Sequence, residues 1–431
     1  MTATAPGIDL ESLDFCEPAL FDDPWAVYRA LRDAGPLHRD ERNQLWVAGR
    51  HEEVFHFSRH PDLYCNRFGV RPVVAGDMSI ITLDGEEHIR TRRLVNPGFT
   101  PRRVRELVPH MTELADQLIA DVREKSANGE IDFVEDFAIH VPLIIICELM
   151  GLDPEQRMKM YRWSDAMMAG DGHSAADSPE LHAAATAFGE YAEMCIELIA
   201  ERRANPTSDD LIGLLTQAFD NGDLTKEFKA IPGVSEERLA EILAERSQLT
   251  DDELLAFLTI LLVAGNETTR NGISGGLLAL SRFPEQKQRL VERIDDDVFV
   301  DRAIEELLRY VSPVIGFIRT VTETHDYKGT ELREGDRVLM LYQSANRDER
   351  VFDRPDELIL DREPNPHLAF GIGPHYCMGS NLARTELKVV FQQLLRQIPD
   401  ITVPEGALVP RGASTLVLAL QHIPAVCPVA H

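Results

Sequence analysis

The sequence has no run of apolar residues long enough to cross a membrane. The longest one, residues 254–264, has 11 residues, against the roughly 20 that a bilayer-spanning helix needs. The chain start, MTATAPGIDLESLDF, also lacks the basic segment and the apolar core of a signal peptide. We therefore expect a cytoplasmic protein without a membrane anchor.

Cysteine and basic residues are both scarce. The six cysteines are scattered without a C-x-x-C pair, which argues against a disulfide framework and fits a reducing compartment. Lysine and arginine number 44 against 72 acidic residues. The resulting net charge of −28 argues against a nucleic-acid partner, because the protein would repel phosphate. No Rossmann fingerprint or Walker loop is present, so we expect no reductase within this chain.

The chain is rich in helical patterns. Segments whose apolar residues recur with a helical period cover most of its length. They are residues 24–34, 101–126, 134–150, 154–169, 180–204, 250–282, 284–294, 299–311 and 378–397. Strand-like segments are few and short, and the clearest are residues 45–48 and 338–342. The expected fold class is mainly α with small β-sheets (α+β).

No linker or repeat divides the 431 residues, of which 44% are apolar. We therefore expect a single domain at residues 23–431, preceded by an N-terminal extension at residues 1–22. The segment at residues 222–248 receives no role from its sequence.

Residues 370–379, FGIGPHYCMG, place one cysteine in a glycine-rich loop just before an amphipathic helix. Gly371 and Gly373 can adopt positive φ and allow a flat cofactor to approach the backbone. The N-terminus of the following helix favours a thiolate at Cys377, which is the form of cysteine that binds metals. The alternative is a buried, inert cysteine in a glycine turn.

This loop resembles, position for position, the haem-ligand signature F-G-x-G-x-H-x-C-x-G of the cytochrome P-450 family. The matching residues are Phe370, Gly371, Gly373, His375, Cys377 and Gly379. The resemblance implies a haem-thiolate monooxygenase fold with haem b (iron protoporphyrin IX) as cofactor. It also implies that Cys377 is the axial ligand of the iron, that His375 binds a haem propionate and that Phe370 packs beside the sulfur.

The longest predicted helix carries a second motif. Its start, Thr250 to Glu253, reads as a capping box, and within it lies the sequence AGNETT at residues 264–269. A glycine and a buried acid both cost stability, and a structural kink with a solvated acid is one explanation. The resemblance implies another, in which Ala264 and Gly265 lie at the cofactor, Gly265 opens the helix beside bound oxygen, and Glu267 and Thr268 relay protons.

Further motifs resemble the family in the same order. Glu306 and Arg309 match its core ion pair E-x-x-R, and the segment that often adds a third arginine, here residues 355–358, contains none. His88 and Arg92, at i and i+4, resemble the family's pair that binds haem propionates, and Arg319 resembles its remaining propionate-binding arginine. The residues implied to line the substrate pocket are apolar or small, as an apolar substrate requires. They are Leu261, Val314, Ile315, Gly316, Phe317 and part of the segment 73–81.

The function implied is hydroxylation of a C–H bond in an apolar lipid-like molecule, such as a steroid, terpenoid or fatty acid, using O2. Electrons would come from a separate ferredoxin and an NAD(P)H-dependent reductase. Residues 88–105 contain six arginines and no acid, so we expect them to form a basic ferredoxin-docking surface together with Arg384 and Lys388; a merely solvated helix face is the alternative. The alternatives to a monooxygenase are a peroxide-driven haem-thiolate peroxygenase and a non-catalytic haem sensor.

Overall fold

The computed structural model describes residues 8–72, 79–127, 129–169, 178–217 and 248–427, together with residues 235, 237 and 241. Helices dominate this part of the chain. They are α1 Trp25–Ala34, α2 His51–Arg59, α3 Gly85–Val95, α4 Pro101–Ser126, α5 His140–Leu149, α6 Arg157–Ala169, α7 Pro179–Ala204, α8 Leu211–Thr216, α9 Asp251–Arg282, α10 Pro284–Glu292, α11 Asp297–Val311, α12 Tyr342–Ala345 and α13 Ser380–Gln397.

The strands are short and form small sheets. They are β1 His38–Asp40, β2 Leu45–Ala48, β3 Tyr64–Cys65, β4 Ile131–Asp132, β5 Gly316–Val321, β6 His325–Tyr327, β7 Thr330–Leu332, β8 Arg337–Leu341 and β9 Pro424–Ala425. Five of them form one sheet in the order β1-β2-β8-β5-β3. Within it β2 pairs with β8 in parallel, whereas β5 pairs with β8 antiparallel. β4 pairs with β9, and β6 with β7.

Helix α9 runs through the core and organises the helical part. The predicted capping box is present, because the Thr250 hydroxyl accepts from the Glu253 N–H at 3.2 Å and the Glu253 carboxylate accepts from the Thr250 N–H at 2.8 Å. Its glycines let other helices approach closely: a Cβ at Gly276 would lie 2.5 Å from the ring of Phe391 on α13. In the described residues, no helix is both long and apolar enough to span a bilayer.

Most of the predicted helices are observed. The predicted helix at 134–150 begins with a π-helical segment, Val134–Ala138, before α5. α2 and α3 lie outside the predicted helical segments. The strand at 45–48 is confirmed, and the strand predicted at 338–342 lies one residue earlier, because Tyr342 begins α12. The segment 222–248 lies outside the described residues except at positions 235, 237, 241 and 248.

The described part of the N-terminal segment packs onto the large sheet. Phe15 and Phe21 are buried in a cluster that contains Leu45 of β2 and Ile318 of β5. Residues 8–22 are therefore attached to the sheet by apolar burial.

Candidate active site

A cavity of about 250 Å³ lies between α9 and the segment that precedes α13. Cys377 lines it together with Phe370 and Gly379 from the same loop, and Ala264, Gly265 and Thr268 from α9 line it as well. The structure therefore brings the glycine-rich loop and the AGNETT motif to one cavity, although more than 100 residues separate them in the sequence.

The loop around Cys377 has the conformation that its glycines predict. Gly371 and Gly373 have φ values of 65° and 81°. The close approach at Gly373, however, is made by the chain itself, because a Cβ there would lie 2.5 Å from the carbonyl oxygen of Ser58 at the end of α2. The Cys377 N–H donates to the Phe370 carbonyl at 2.9 Å, which closes the loop.

The electrostatic setting of Cys377 has opposing parts. Burial raises the pKa of its thiol, while the backbone N–H of Gly379 and the cations Arg92 and Arg384 act in the opposite direction. Since α13 begins at Ser380, its N-terminus also lies beside the sulfur. A metal cation at the sulfur would add to these stabilising groups and favour the thiolate.

Four basic side chains from three segments converge on this cavity. His88 and Arg92 of α3, Arg319 of β5 and His375 all line it. The His88 and His375 rings stack with centroids 4.0 Å apart. Burial lowers the pKa of His88 to about 2 and that of His375 to about 4. The predicted grouping of these residues is thus observed, with both imidazoles neutral at pH 7.

The two arginines among these four lack an anionic partner in the described part of the chain. Arg319 is 3% exposed, and its guanidinium donates to the carbonyl of the neighbouring Ile318. Arg92 donates to the Tyr376 carbonyl. Neither has a carboxylate within ion-pair distance among the described residues, and burial lowers the pKa of both. Since an uncompensated buried cation costs several kcal/mol, the site fits a cofactor that brings its own carboxylates, as haem does.

The acid and the alcohol of the AGNETT motif on helix α9, Glu267 and Thr268, lie in different surroundings. Thr268 lines the cavity, and its hydroxyl donates to the Ala264 carbonyl at 2.6 Å. Glu267, which is 1% exposed, instead binds Arg270 at 2.5 Å. Successive helical residues point about 100° apart, so the two side chains diverge. Helix α9 continues through Gly265, where a Cβ would lie 2.6 Å from Ile146 of α5.

The sequence prediction missed a second buried acid. Glu386 of α13 is 2% exposed, lines the cavity and accepts a hydrogen bond from Thr269, the neighbour of Thr268. Burial raises its pKa to about 8, although the Thr269 hydroxyl opposes this effect. Glu386 is therefore protonated at neutral pH and can donate a proton toward the cavity. A glutamate on the apolar face of a predicted helix was the sequence signal for it.

The predicted substrate residues divide into two groups. Leu261, Val314 and Phe317 line the cavity. The prediction that Ile315 and Gly316 line the pocket was wrong. Ile315 is buried in the cluster of Phe15 and Phe21, and a Cβ at Gly316 would lie 2.6 Å from the Met340 carbonyl. The physical reasons differ: Ile315 packs against the N-terminal segment, and Gly316, the first residue of β5, lies so close to the backbone of β8 that it leaves no room for a side chain. Of the segment 73–81, Ile80 and Ile81 line the cavity and residues 73–78 lie outside the described residues.

The predicted ion pair is present and has a third member. Glu306 and Arg309 are both fully buried and bind at 2.7 and 2.9 Å. Arg362 donates from Nε to both oxygens of Glu306, at 3.1 and 3.0 Å. The third arginine therefore exists, but it lies four positions beyond the segment 355–358 in which the sequence motif was sought.

The predicted basic surface was wrong in extent. Arg90 and Arg93 are buried, and Arg90 pairs with Glu253 at 2.8 Å. Lys388 binds both Asp297 and Asp301, at 3.0 and 2.8 Å. Clustered arginines in a sequence cannot reveal which of them fold inward against acids from distant segments. Of the arginines of residues 88–105 that lie on α4, Arg102 and Arg105 are exposed and Arg103 is half-buried. Arg102 is paired with Glu106.

Comparison with known proteins agrees with this site. The family model of cytochrome P450 matches residues 44–399. A steroid C26-monooxygenase of Mycolicibacterium smegmatis is 36% identical over 400 residues, covering 93% of this chain and 92% of that protein. A methyl-branched lipid omega-hydroxylase of Mycobacterium tuberculosis is 34% identical over 417 residues, covering 93% of this chain and 90% of that protein.

Solved structures give the same result. A cytochrome P450 of Mycobacterium marinum in complex with pseudoionone superposes with a TM-score of 0.81 at 28% identity, covering 98% of this chain and 100% of that one. A Bacillus megaterium protein in complex with testosterone gives a TM-score of 0.79 at 27% identity, covering 96% and 100%. The expected fold class, cofactor and enzyme class are thereby confirmed. The chain belongs to the cytochrome P450 family and is a haem-thiolate monooxygenase.

Proposed function

We propose that this enzyme hydroxylates a C–H bond of a steroid or branched lipid in the cytoplasm, with electrons from a separate ferredoxin and an NAD(P)H-dependent reductase. The observation that carries this proposal is the apolar lining above Cys377. Ile80, Ile146, Phe257, Leu261 and Phe317 all face that space, so burial of apolar ligand surface is the main available source of affinity. The named substrates of the two mycobacterial relatives, a steroid and a methyl-branched lipid, support the same class.

The same proposal assigns roles to the residues of the site within a single haem-binding domain at residues 23–431, onto which residues 8–22 pack. Cys377 would hold the haem iron, with Phe370 and Gly379 beside the sulfur, and Ala264 and Gly265 of α9 would contact the cofactor in the same cavity. His88, Arg92, Arg319 and His375 would bind the propionates, which supply the missing anions. When bound, the haem supplies the chemistry of O2 activation and oxygen insertion.

The chain's own residues would manage protons and water. The Thr268 hydroxyl uses its hydrogen on the Ala264 carbonyl, so its oxygen is left to accept a hydrogen bond from a cavity water. Glu386, protonated and bonded to Thr269, is a proton donor from the cavity wall. Glu267, whose pKa burial raises to about 7 against the opposing charge of Arg270, can exchange a proton near neutral pH on the other side of α9.

Ligand binding and turnover test this proposal. We expect a sterol with an aliphatic side chain, and a methyl-branched fatty acid, to shift the haem Soret band toward the high-spin form. Each should yield a product with one added oxygen atom when ferredoxin, reductase and NAD(P)H are present. Testosterone, which lacks the side chain, is the matched control for the sterol. Turnover with hydrogen peroxide alone would instead indicate a peroxygenase, and binding without any turnover would indicate a sensor.

The ferredoxin part has its own test. Arg105 on α4 is exposed and has no acidic ion-pair partner among the described residues. Arg105→Glu should therefore slow stopped-flow reduction by ferredoxin at low salt and leave substrate affinity unchanged. Lys159→Glu, at an exposed position of α6, makes the same charge change and is the control. Equal rates for the two variants, and no dependence on salt, would place docking on another surface.

A further inference from the structure

One carboxylate connects both flanks of the Cys377 loop to a core helix. Glu305 of α11 accepts from Arg384 Nε at 2.5 Å and from Arg384 Nη2 at 2.9 Å. It also accepts from His367 Nε2 at 2.9 Å. His367 precedes Cys377 in the sequence and Arg384 follows it. The neighbouring residue, Glu306, makes the buried ion pair with Arg309, so the anchoring carboxylate sits on a rigid element.

Arg384 also contacts the loop itself. Its guanidinium lies 4.3 Å from the centroid of the Phe370 ring, and its Nη1 donates to the Tyr376 hydroxyl at 3.0 Å. Phe370 and Tyr376 both line the cavity beside Cys377. Stacking on one side and hydrogen bonds on the other leave this guanidinium a single orientation. Its charge acts on the Cys377 sulfur, opposing the effect of burial on the thiol.

His367 fixes the other flank. Its Nδ1 accepts from the Ala369 N–H at 3.2 Å, so its proton is on Nε2, where it donates to Glu305. This neutral tautomer holds residues 367–369 directly before Phe370. The N–H of Leu368 is bound in addition by Asn346 Oδ1 at 2.7 Å.

The charges at this network are fixed at neutral pH. Burial alone would raise the pKa of Glu305, but the hydrogen bonds from His367 and Arg384 outweigh it and lower the pKa to about 2. The carboxylate is therefore ionised and balances the guanidinium, and the pair contributes no net charge. Removing either member alone changes the charge beside Cys377 by one unit, in opposite senses.

We propose that Glu305 and Arg384 are positioning residues that set the reduction potential of the thiolate-bound haem through their balanced charges. The proposal rests on the assignment of Cys377 as the iron ligand. One-electron reduction makes the haem–thiolate unit more negative, so a nearby positive charge favours reduction and a negative charge opposes it. Loss of the Glu305 charge should raise the potential, and loss of the Arg384 charge should lower it.

The test is a redox titration of the haem-loaded protein with dithionite as reductant. We expect Glu305→Gln to raise the potential and Arg384→Met to lower it. Each shift should be about tenfold in the equilibrium constant of reduction, or about 59 mV for one electron. The double variant should return close to the wild-type potential. The controls are Arg396→Met and Asp295→Asn. They break an exposed ion pair at 2.7 Å between α13, the helix of Arg384, and the residue two positions before α11, and each should leave the reduction potential unchanged.

The outcomes separate this proposal from a purely structural role. If the network only held the loop in place, both single variants would lose the carbon-monoxide band of the reduced thiolate form. Their reduction potentials would also shift in the same direction, and that result would overturn the proposal. If Arg384→Met fails to load haem, Arg384→Lys, which keeps the charge, should retain the wild-type potential while Glu305→Gln raises it. Absence of the thiolate band in the wild type would refute the Cys377 assignment instead.

Discussion

Removal of the Glu306 carboxylate should destabilise the protein more than almost any other single substitution on α11. Glu306 is fully buried and accepts hydrogen bonds from Arg309, from Arg362 and from the Ile359 N–H, the last at 2.9 Å. Glu306→Ala would leave two guanidinium groups facing a hole with no anion. Arg309 keeps carbonyl partners at Asn346, Pro355 and Glu357, but carbonyls do not neutralise its charge.

The magnitude follows from the cost of breaking a buried pair. Stranding one charge costs about 3–5 kcal/mol, and here two cations are stranded, so we expect a loss at the top of that range. A protein with a total stability of about 5–15 kcal/mol would then be close to unfolding. Glu306→Gln keeps the shape and two acceptor lone pairs, and it should cost less than Glu306→Ala.

Urea unfolding, followed by far-ultraviolet circular dichroism and haem absorbance, measures this loss. We expect a lower midpoint with an unchanged slope, because the surface exposed on unfolding is the same. Arg354→Ala is the control: its pair with Glu357 is exposed, at 3.0 Å, and should cost only about 0.2–1 kcal/mol. The reasoning fails if Glu306→Ala shifts the midpoint no further than Arg354→Ala does.

Three further outcomes are expected. Cys377→Ser should abolish the thiolate signature in the reduced carbon-monoxide spectrum, and a surviving signature would refute the ligand assignment. Thr268→Ala should uncouple the enzyme, so that NAD(P)H consumption continues while hydrogen peroxide formation rises and product per electron falls. Unchanged coupling would show that Thr268 has only a structural role in the helix. Glu386 has a folded-state pKa of about 8 against an ordinary value of 4.5, so stability should fall as pH rises between these values, and Glu386→Gln should flatten that dependence in urea titrations.

The site was predictable where residues close in sequence carry the chemistry. The loop of Cys377 and the AGNETT segment were recognised because their residues resemble motifs of the cytochrome P450 family that lie within one loop or one helix. The capping box of Thr250 and Glu253 was predicted for the same reason, since both partners lie within one turn.

Contacts between distant segments were not predictable in this way. Arg362 and Glu306 are 56 positions apart, and nothing in either segment identifies the other as its partner. The same holds for Glu386, whose role depends on Thr269 of another helix, and for Lys388, whose charge is taken up by two aspartates of α11. The predictions for Ile315 and Gly316 failed for a different reason, because the sequence does not reveal that Ile315 packs against the N-terminal segment or that Gly316 lies against the backbone of β8.

The parallel pairing of β2 with β8 has a consequence for the order in which the molecule is built. Leu45 of β2 is in register with Arg337 of β8, so nearly 300 residues must be synthesised before that pairing can form. Such non-local contacts form slowly, because a long loop must close first. β5, which carries Arg319, joins the sheet through β8, and Cys377 is made later still. The haem site is therefore complete only after Cys377 has been synthesised, and the helices that precede β8 must persist until then without the cofactor.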